Sequence, residues 1–217
     1  MKWRNLVRGV CNEGPLLDYY RFGVRETGIR FRQYDETDFD RCCELYSLCE
    51  KGRFPPGCLR YYEAYLKAQD SLIIVAENED GVIASGGIGK SRFTPEIVIA
   101  MISFGLVHPD WHRKGIGTQL FCASIALLQA SRDWTISMTS AGNGTERFFE
   151  RLGFVCCGQE NDEEGHVLYS YVVKVLGEDV DRFQSIIFES GEKHQLELSA
   201  QIPEIDRSAE WEKLQET

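Results

Sequence analysis

Apolar residues recur along the chain with two different periods, and the changes between them divide it into elements. "IRFRQY" (Ile29 to Tyr34) alternates apolar with polar positions, as a half-buried strand does. From Phe39 the spacing changes. Phe39, Cys42, Cys43, Tyr46 and Cys49 fall on one side of a helix, and "DETD" ahead of them supplies capping side chains. The Pro55-Pro56-Gly57 breaker ends this segment, and Leu59 to Ala68 reads as a second helix. Three strands are expected next: "SLIIVAEN" (Ser71 to Asn78), "VIASGGIGK" after the Asp80-Gly81 hairpin signal, and "EIVIAMISFGLV" (Glu96 to Val107). Together they predict an antiparallel meander.

The helical period returns at Ile116, Leu120, Ala123 and Leu127, predicting a helix from about Gly117 to Ser131. "DWTISM" (Asp133 to Met138) reads as a strand, and the intervening helix predicts that it pairs in parallel with the previous one through a βαβ crossover. "NGTERFFERLGF" predicts a short helix, with Asn143 and Glu146 at capping-box spacing and Gly153 as its stop. "HVLYSYVVKV" (His166 to Val175) is a last long strand. The pattern divides the chain into an N-terminal extension without clear period (1–28), a core domain (29–175) and an acidic C-terminal extension (176–217). In that last part "IIFESGEKHQLELS" reads as an added hairpin and "SAEWEKLQE" as a terminal helix.

Composition narrows the function classes. The 217 residues suffice for one domain with extensions, and 43% hydrophobic residues can build its core. Acidic residues outnumber basic ones 34 to 24, for a net charge of -10, so there is no broad basic footprint for nucleic acid. No stretch is apolar for about 18 residues and no signal peptide opens the chain, so a soluble, cytoplasmic protein without membrane partners is expected. Eight cysteines without C-x-x-C spacing read as buried thiols, and no metal site is expected.

Two glycine loops compete as anion sites. "ASGGIGKS" (Ala84 to Ser91) fits a relaxed P-loop pattern, but that loop must run into a helix, and here "RFTPE" follows with Pro95 where the second turn belongs. It is better read as a glycine-rich strand. "HPDWHRKGIGTQL" (His108 to Leu120) has the right context, since a strand ends at Val107 and the loop enters a helix. Gly115 and Gly117 let backbone approach a ligand, and the first helical amides offer unpaired donors at the positive end of the dipole.

A strand, "V-x-P", a loop of the form [Q/R]-x-x-G-x-[G/A] and a helix resemble the acetyl-coenzyme A-binding motif of the GNAT superfamily of N-acetyltransferases. "FFERLGF" (Phe148 to Phe154) resembles its second landmark. With the order of elements over residues 29–175, the resemblance implies an α/β GNAT (acyl-CoA N-acyltransferase) fold: a mixed central sheet with an antiparallel meander, a βαβ crossover and splayed central strands. It implies acetyl-CoA as co-substrate, with the backbone of Leu106 and Val107 along the pantetheine arm. The amides of Arg113, Lys114, Gly115, Ile116, Gly117 and Thr118 would hold the pyrophosphate, with His112, Asn143 and Phe149 as further cofactor-binding residues.

The activity implied is direct transfer of an acetyl group to a primary amine of a small molecule or peptide, with a Val107 backbone amide as oxyanion donor. The chain departs from the family pattern at three places. Met101 stands where many relatives have a glutamate base, Phe149 where they have a tyrosine acid, and His112 at the first loop position. His108, Glu96, Tyr169 and Tyr171 are candidate substitutes in acid-base roles, His108 foremost as an imidazole directly following the splayed strand. The alternative is a GNAT-fold coenzyme A-binding sensor or interaction module with little or no catalysis. A homodimer is left open.

Overall fold

The computed structural model describes residues 29–50, 54, 57–68, 71–94, 97–140, 144–161 and 165–189. Seven strands form one sheet in the order β1-β2-β3-β4-β5-β7-β6: β1 (Arg30–Gln33), β2 (Leu72–Asn78), β3 (Gly81–Thr94), β4 (Ile97–Val107), β5 (Trp134–Ser140), β6 (Val155–Asn161) and β7 (Val167–Val175). All neighbours are antiparallel except β4 and β5, which pair in parallel as the crossover predicts. Helices α1 (Phe39–Glu50), α2 (Leu59–Leu66), α3 (Ile116–Ala126), α4 (Glu146–Arg151) and α5 (Gly177–Glu189) complete the domain. The mixed sheet with its meander is the expected α/β architecture.

Two cores lie on opposite faces of the sheet. One joins α1 and α2 to Ile73, Val75 and Leu106 and holds the predicted stripe of α1, with Cys42, Tyr46 and Cys49 buried and Phe39 and Cys43 packed beside them. The other is built around α3, whose hydrophobic run is buried from Leu120 to Ala126 save where it lines a cleft, and takes in Ile74, Ile136, Val173, Val180 and Phe183. The seven described cysteines are free thiols, but only Cys42, Cys49 and Cys122 are buried as expected; Cys43, Cys58 and Cys157 are half-buried and Cys156 is exposed. Burial raises the Cys42 thiol to about 12, well out of range of thiolate chemistry.

The joint between β1 and α1 is an ion-pair cluster. Arg32 donates a two-pronged fork to Asp38 at 2.7 and 2.8 Å and pairs with Glu77 at 2.7 Å, while Asp38 also accepts from the Asp35 N–H. Burial alone would raise the Asp38 carboxyl, but the Arg32 fork and the Asp35 amide outweigh it and hold it below its usual range. The "DETD" segment thus makes a capping box on a 3-10 turn over Glu36–Asp38 before α1 begins.

Three expectations are corrected. Helix α3 ends at Ala126 rather than near Ser131, because Leu127 and Leu128 turn back through i to i+3 hydrogen bonds that keep both side chains in the core. Helix α4 has Thr145 as its N-cap, so Glu146 sits at the first helical position rather than the third, and its carboxylate accepts from Ser140 Oγ at 2.7 Å. The "IIF" of the expected hairpin is instead the end of α5. That helix docks through the fully buried Val180 and Phe183, with the Gly177 N–H donating to Asp133 and Gln184 donating to the carbonyls of Ala126 and Leu128. "ASGGIGKS", by contrast, runs entirely within β3, as the strand reading expected. The N-terminal extension, the terminal helix expected in "SAEWEKLQE", Asn143 and Glu96 lie outside the described residues.

Candidate active site

The site begins with a defect in β4. In its pairing with β3 the register runs Ala84↔Val107, Ser85↔Leu106 and then Gly87↔Ser103, so Phe104 and Gly105 together face the single residue Gly86. This is a β-bulge, with Phe104 at φ +47°. Beyond it β4 and β5 part company, since their parallel pairing covers only Ile99–Met101 against Thr135–Ser137. The result is a V-shaped opening, with Val107 at one lip and the end of β5 at the other.

Alternation in the antiparallel ladder then decides which backbone groups face that opening. The His108 N–H donates to Ile83 O at 2.8 Å, so the neighbouring Ala84–Val107 pair does not exchange hydrogen bonds and Val107 turns its N–H and C=O away from β3. By the same rule Leu106 turns its backbone toward Ser85, and its side chain lies in the α1–α2 core. The Val107 carbonyl is already engaged. His112 Nε2–H donates to it at 2.7 Å and Cys49 Sγ–H at 3.3 Å, which ties the loop and α1 to the end of the strand. Since that carbonyl only accepts, His112 carries its proton on Nε2.

The loop itself makes a concave array of amides. After a 3-10 turn at Pro109–Trp111, Arg113 takes φ +61° and Gly115, the N-cap of α3, takes φ +89°. Left-handed residues alternating with Lys114 direct successive N–H groups to one side, and the unpaired first amides of α3 extend the array. Gly117 sits under the Phe148 ring: a Cβ there would lie 3.6 Å from Phe148 Cζ, in ordinary contact. Lys114 Nζ lies 4.2 Å above the Trp111 ring.

Between the loop, the splayed strands and α4 lies a cleft of about 760 Å³. Of the predicted residues it brings together Val107, His112, Arg113, Gly115, Gly117, Thr118 and Phe149. Ile116 is buried beneath the cradle at the start of α3, and Met101 pairs with Ser137 in the last rung of β4 against β5. His108 caps the 3-10 turn, its Nδ1 accepting the Asp110 N–H at 3.2 Å, and is not among the residues that line the cleft. Tyr169 and Tyr171 lie on β7 opposite Ser140 and Met138, also outside the lining. Burial raises the Tyr171 hydroxyl above its usual range.

Sequence reasoning did not single out Phe148, Arg151, Trp111, Ser124, Gly86, Gly87 or Gly105, all of which line the cleft. The i, i+3 spacing of Phe148 and Arg151 in "FFERLGF" is the signal for two of them. Gly86 and Gly87 belong to the loop rejected as a P-loop, and they serve the site as a strand wall. Among the described residues, every charged or imidazole side chain in the lining is basic (His112, Arg113, Arg151), although the molecule carries a net charge of -10. That concentration of cations beside an amide array fits the phosphates of a nucleotide cofactor.

Comparison with known proteins agrees with this geometry. Residues 69–156 match the family model described as an acetyltransferase (GNAT) domain. Aminoglycoside N(6')-acetyltransferase from Legionella pneumophila superposes with a TM-score of 0.57 at 11% identity, covering 73% of this chain and 97% of that one. Arabidopsis thaliana Naa50, solved with a bisubstrate analogue CoA-Ac-MVNAL, gives 0.52 at 13% identity over 67% and 97%. The ribosomal-protein-S18-alanine N-acetyltransferase of Escherichia coli gives 0.50 at 14% identity over 68% and 94%. No curated protein matches by sequence. Residues 69–156 thus resemble the GNAT domain, and the chain shares the fold of these acetyltransferases.

Proposed function

We propose that the protein is an N-acetyltransferase that moves the acetyl group of acetyl-CoA directly to a primary amine. The observation that carries this reading is the amide cradle of Arg113 to Thr118, with Gly115 left-handed, opening onto a cleft where β4 has left β5. In this assignment the cradle amides and Arg113 hold the pyrophosphate, and Arg151 adds charge from α4. Bound there, acetyl-CoA supplies an activated thioester.

The chain's own groups do the rest. The Val107 N–H, turned into the opening, is the donor for a developing oxyanion. His112 and Cys49 fix the peptide that follows it. Phe148, Phe149, Leu120 and Leu152 shield the arm of the cleft from water. No carboxylate is among the described lining residues, so proton removal from the incoming ammonium is assigned to water entering from the acceptor side. The acceptor class is taken from the neighbours: an aminoglycoside amine and a peptide α-amine are the first to try.

The test has two stages. Acetyl-CoA at ~1,000 times its dissociation constant should stabilise the folded chain by about 4 kcal/mol in thermal unfolding. Gly115→Glu should abolish that shift, since a side chain at φ +89° fills the cradle and brings a like charge to the phosphates. An unchanged shift would refute the role of the loop. Acetyl-CoA consumption across an amine panel then separates an enzyme from a module that binds coenzyme A without turnover.

A further inference from the structure

The direction of the Val107 N–H depends on the bulge in β4. Phe104 and Gly105 together face Gly86, and that extra residue sets the phase of every backbone group beyond it. Pairing without it would slip the end of β4 by one place and turn the Val107 N–H toward β3, away from the opening. A phenylalanine in the left-handed region does not hold such a turn by its own preference.

One side chain reaches both strands of the bulge. Tyr62 on α2 is fully buried, and its hydroxyl shares a hydrogen bond of 2.6 Å with Oγ of Ser85, the β3 residue just before Gly86. Its ring lies 5.1 Å from the Phe104 ring and stacks on Tyr46 at 5.2 Å, which fixes it to α1 as well. Ser85 is also fully buried, so water does not compete for the bond. The hydroxyl therefore registers β3, and the ring registers β4. Burial raises the Tyr62 hydroxyl far above its ordinary range, so it stays protonated and moves no proton in the reaction.

We infer that Tyr62 is a positioning residue of the site: by bridging Ser85 and Phe104 it holds the register that aims the Val107 N–H into the opening. This rests on the reading of that N–H as the oxyanion donor. Tyr62 is not among the residues that line the cleft, and the cradle of Arg113 to Thr118 belongs to another segment. Its effect therefore falls on the transition state rather than on coenzyme A binding.

Hydrogen exchange and steady-state kinetics on the full chain test this with Tyr62→Phe, which keeps the ring and removes the hydroxyl. The reporter is the His108 amide, bonded to Ile83 O in the present register. It should exchange about tenfold faster in the variant, while amides of the β5–β7 ladder keep their wild-type rates. Coenzyme A affinity should stay within about twofold, and kcat on any accepted amine should fall about tenfold at unchanged KM. Ser85→Ala should reproduce this pattern, and the double variant should be no worse than either single one. The serine variant decides the matter if Tyr62→Phe does not fold. An unchanged His108 rate, or equal acceleration across β5–β7, would make Tyr62 a packing residue and overturn the inference. A wild type that turns over no amine would sink the proposed function, while the exchange pattern still decides whether Tyr62 sets the register.

Discussion

Phe104 shows at residue scale how the opening is held. A left-handed conformation costs an L residue roughly 1–2 kcal/mol, and here a phenylalanine rather than a glycine accepts it. Its ring sits among Tyr62 (5.1 Å), Tyr65 (5.4 Å) and Phe54 (6.2 Å), and contacts of that kind offset the backbone term. His112 works at the other end of the same segment, through its hydrogen bond to Val107 O. As a positioning residue it should be replaceable by any side chain that donates from the same place. His112→Ala is expected to weaken coenzyme A binding about tenfold, the loss of a half-buried hydrogen bond and of loop order. His112→Gln should recover most of it. Calorimetry checks both, and equal affinity in the alanine variant would show that the contact does not shape the cradle.

At the scale of elements, two carboxylates tie segments together and should make stability depend on pH. Asp38 joins β1 to α1, and Asp133 holds the start of α5 through the Gly177 N–H and Lys174. Both lie below their ordinary value near 3.8, Asp38 because the Arg32 fork and the Asp35 amide outweigh burial, Asp133 chiefly because of the Gly177 amide. A depressed carboxyl contributes stability that is full above its unfolded value and is lost as pH falls through its folded one. Wild type and Asp38→Asn should therefore differ most in urea midpoint near pH 7 and converge toward pH 2. A difference that persists to pH 2 would mean the asparagine acts through packing instead.

The same scale shows what the residue pattern could and could not convey. The α1 stripe, the meander and the crossover were legible because Cys42, Tyr46 and Cys49, or Ile73 to Val75, are buried for reasons local to their own element. The bulge was not, since its left-handed residue is Phe104 and carries no glycine signal. Nor was α5, because Val180 and Phe183 become core only when the helix lies on α3. The cradle was legible because Gly115 is required by backbone geometry. Arg151 was hidden because reaching a cleft is a property of the folded surface.

Over the whole molecule, charge is arranged against its own average. A protein of net charge -10 keeps basic groups where a polyanion would enter. At physiological salt, screening over about 8 Å lets those local cations dominate the distant acidic surface. Trp111 belongs to this region: it lines the cleft beneath Lys114, whereas Trp134 is buried with its indole N–H on Gln129 O. An indole under an ammonium responds to any phosphate that draws the cation away. Its fluorescence should therefore shift in intensity as coenzyme A is titrated in, and the change should vanish in Trp111→Phe while calorimetry still records binding. The chain thus carries its own optical reporter at the entrance, able to follow ligand arrival in a stopped-flow cuvette without a label.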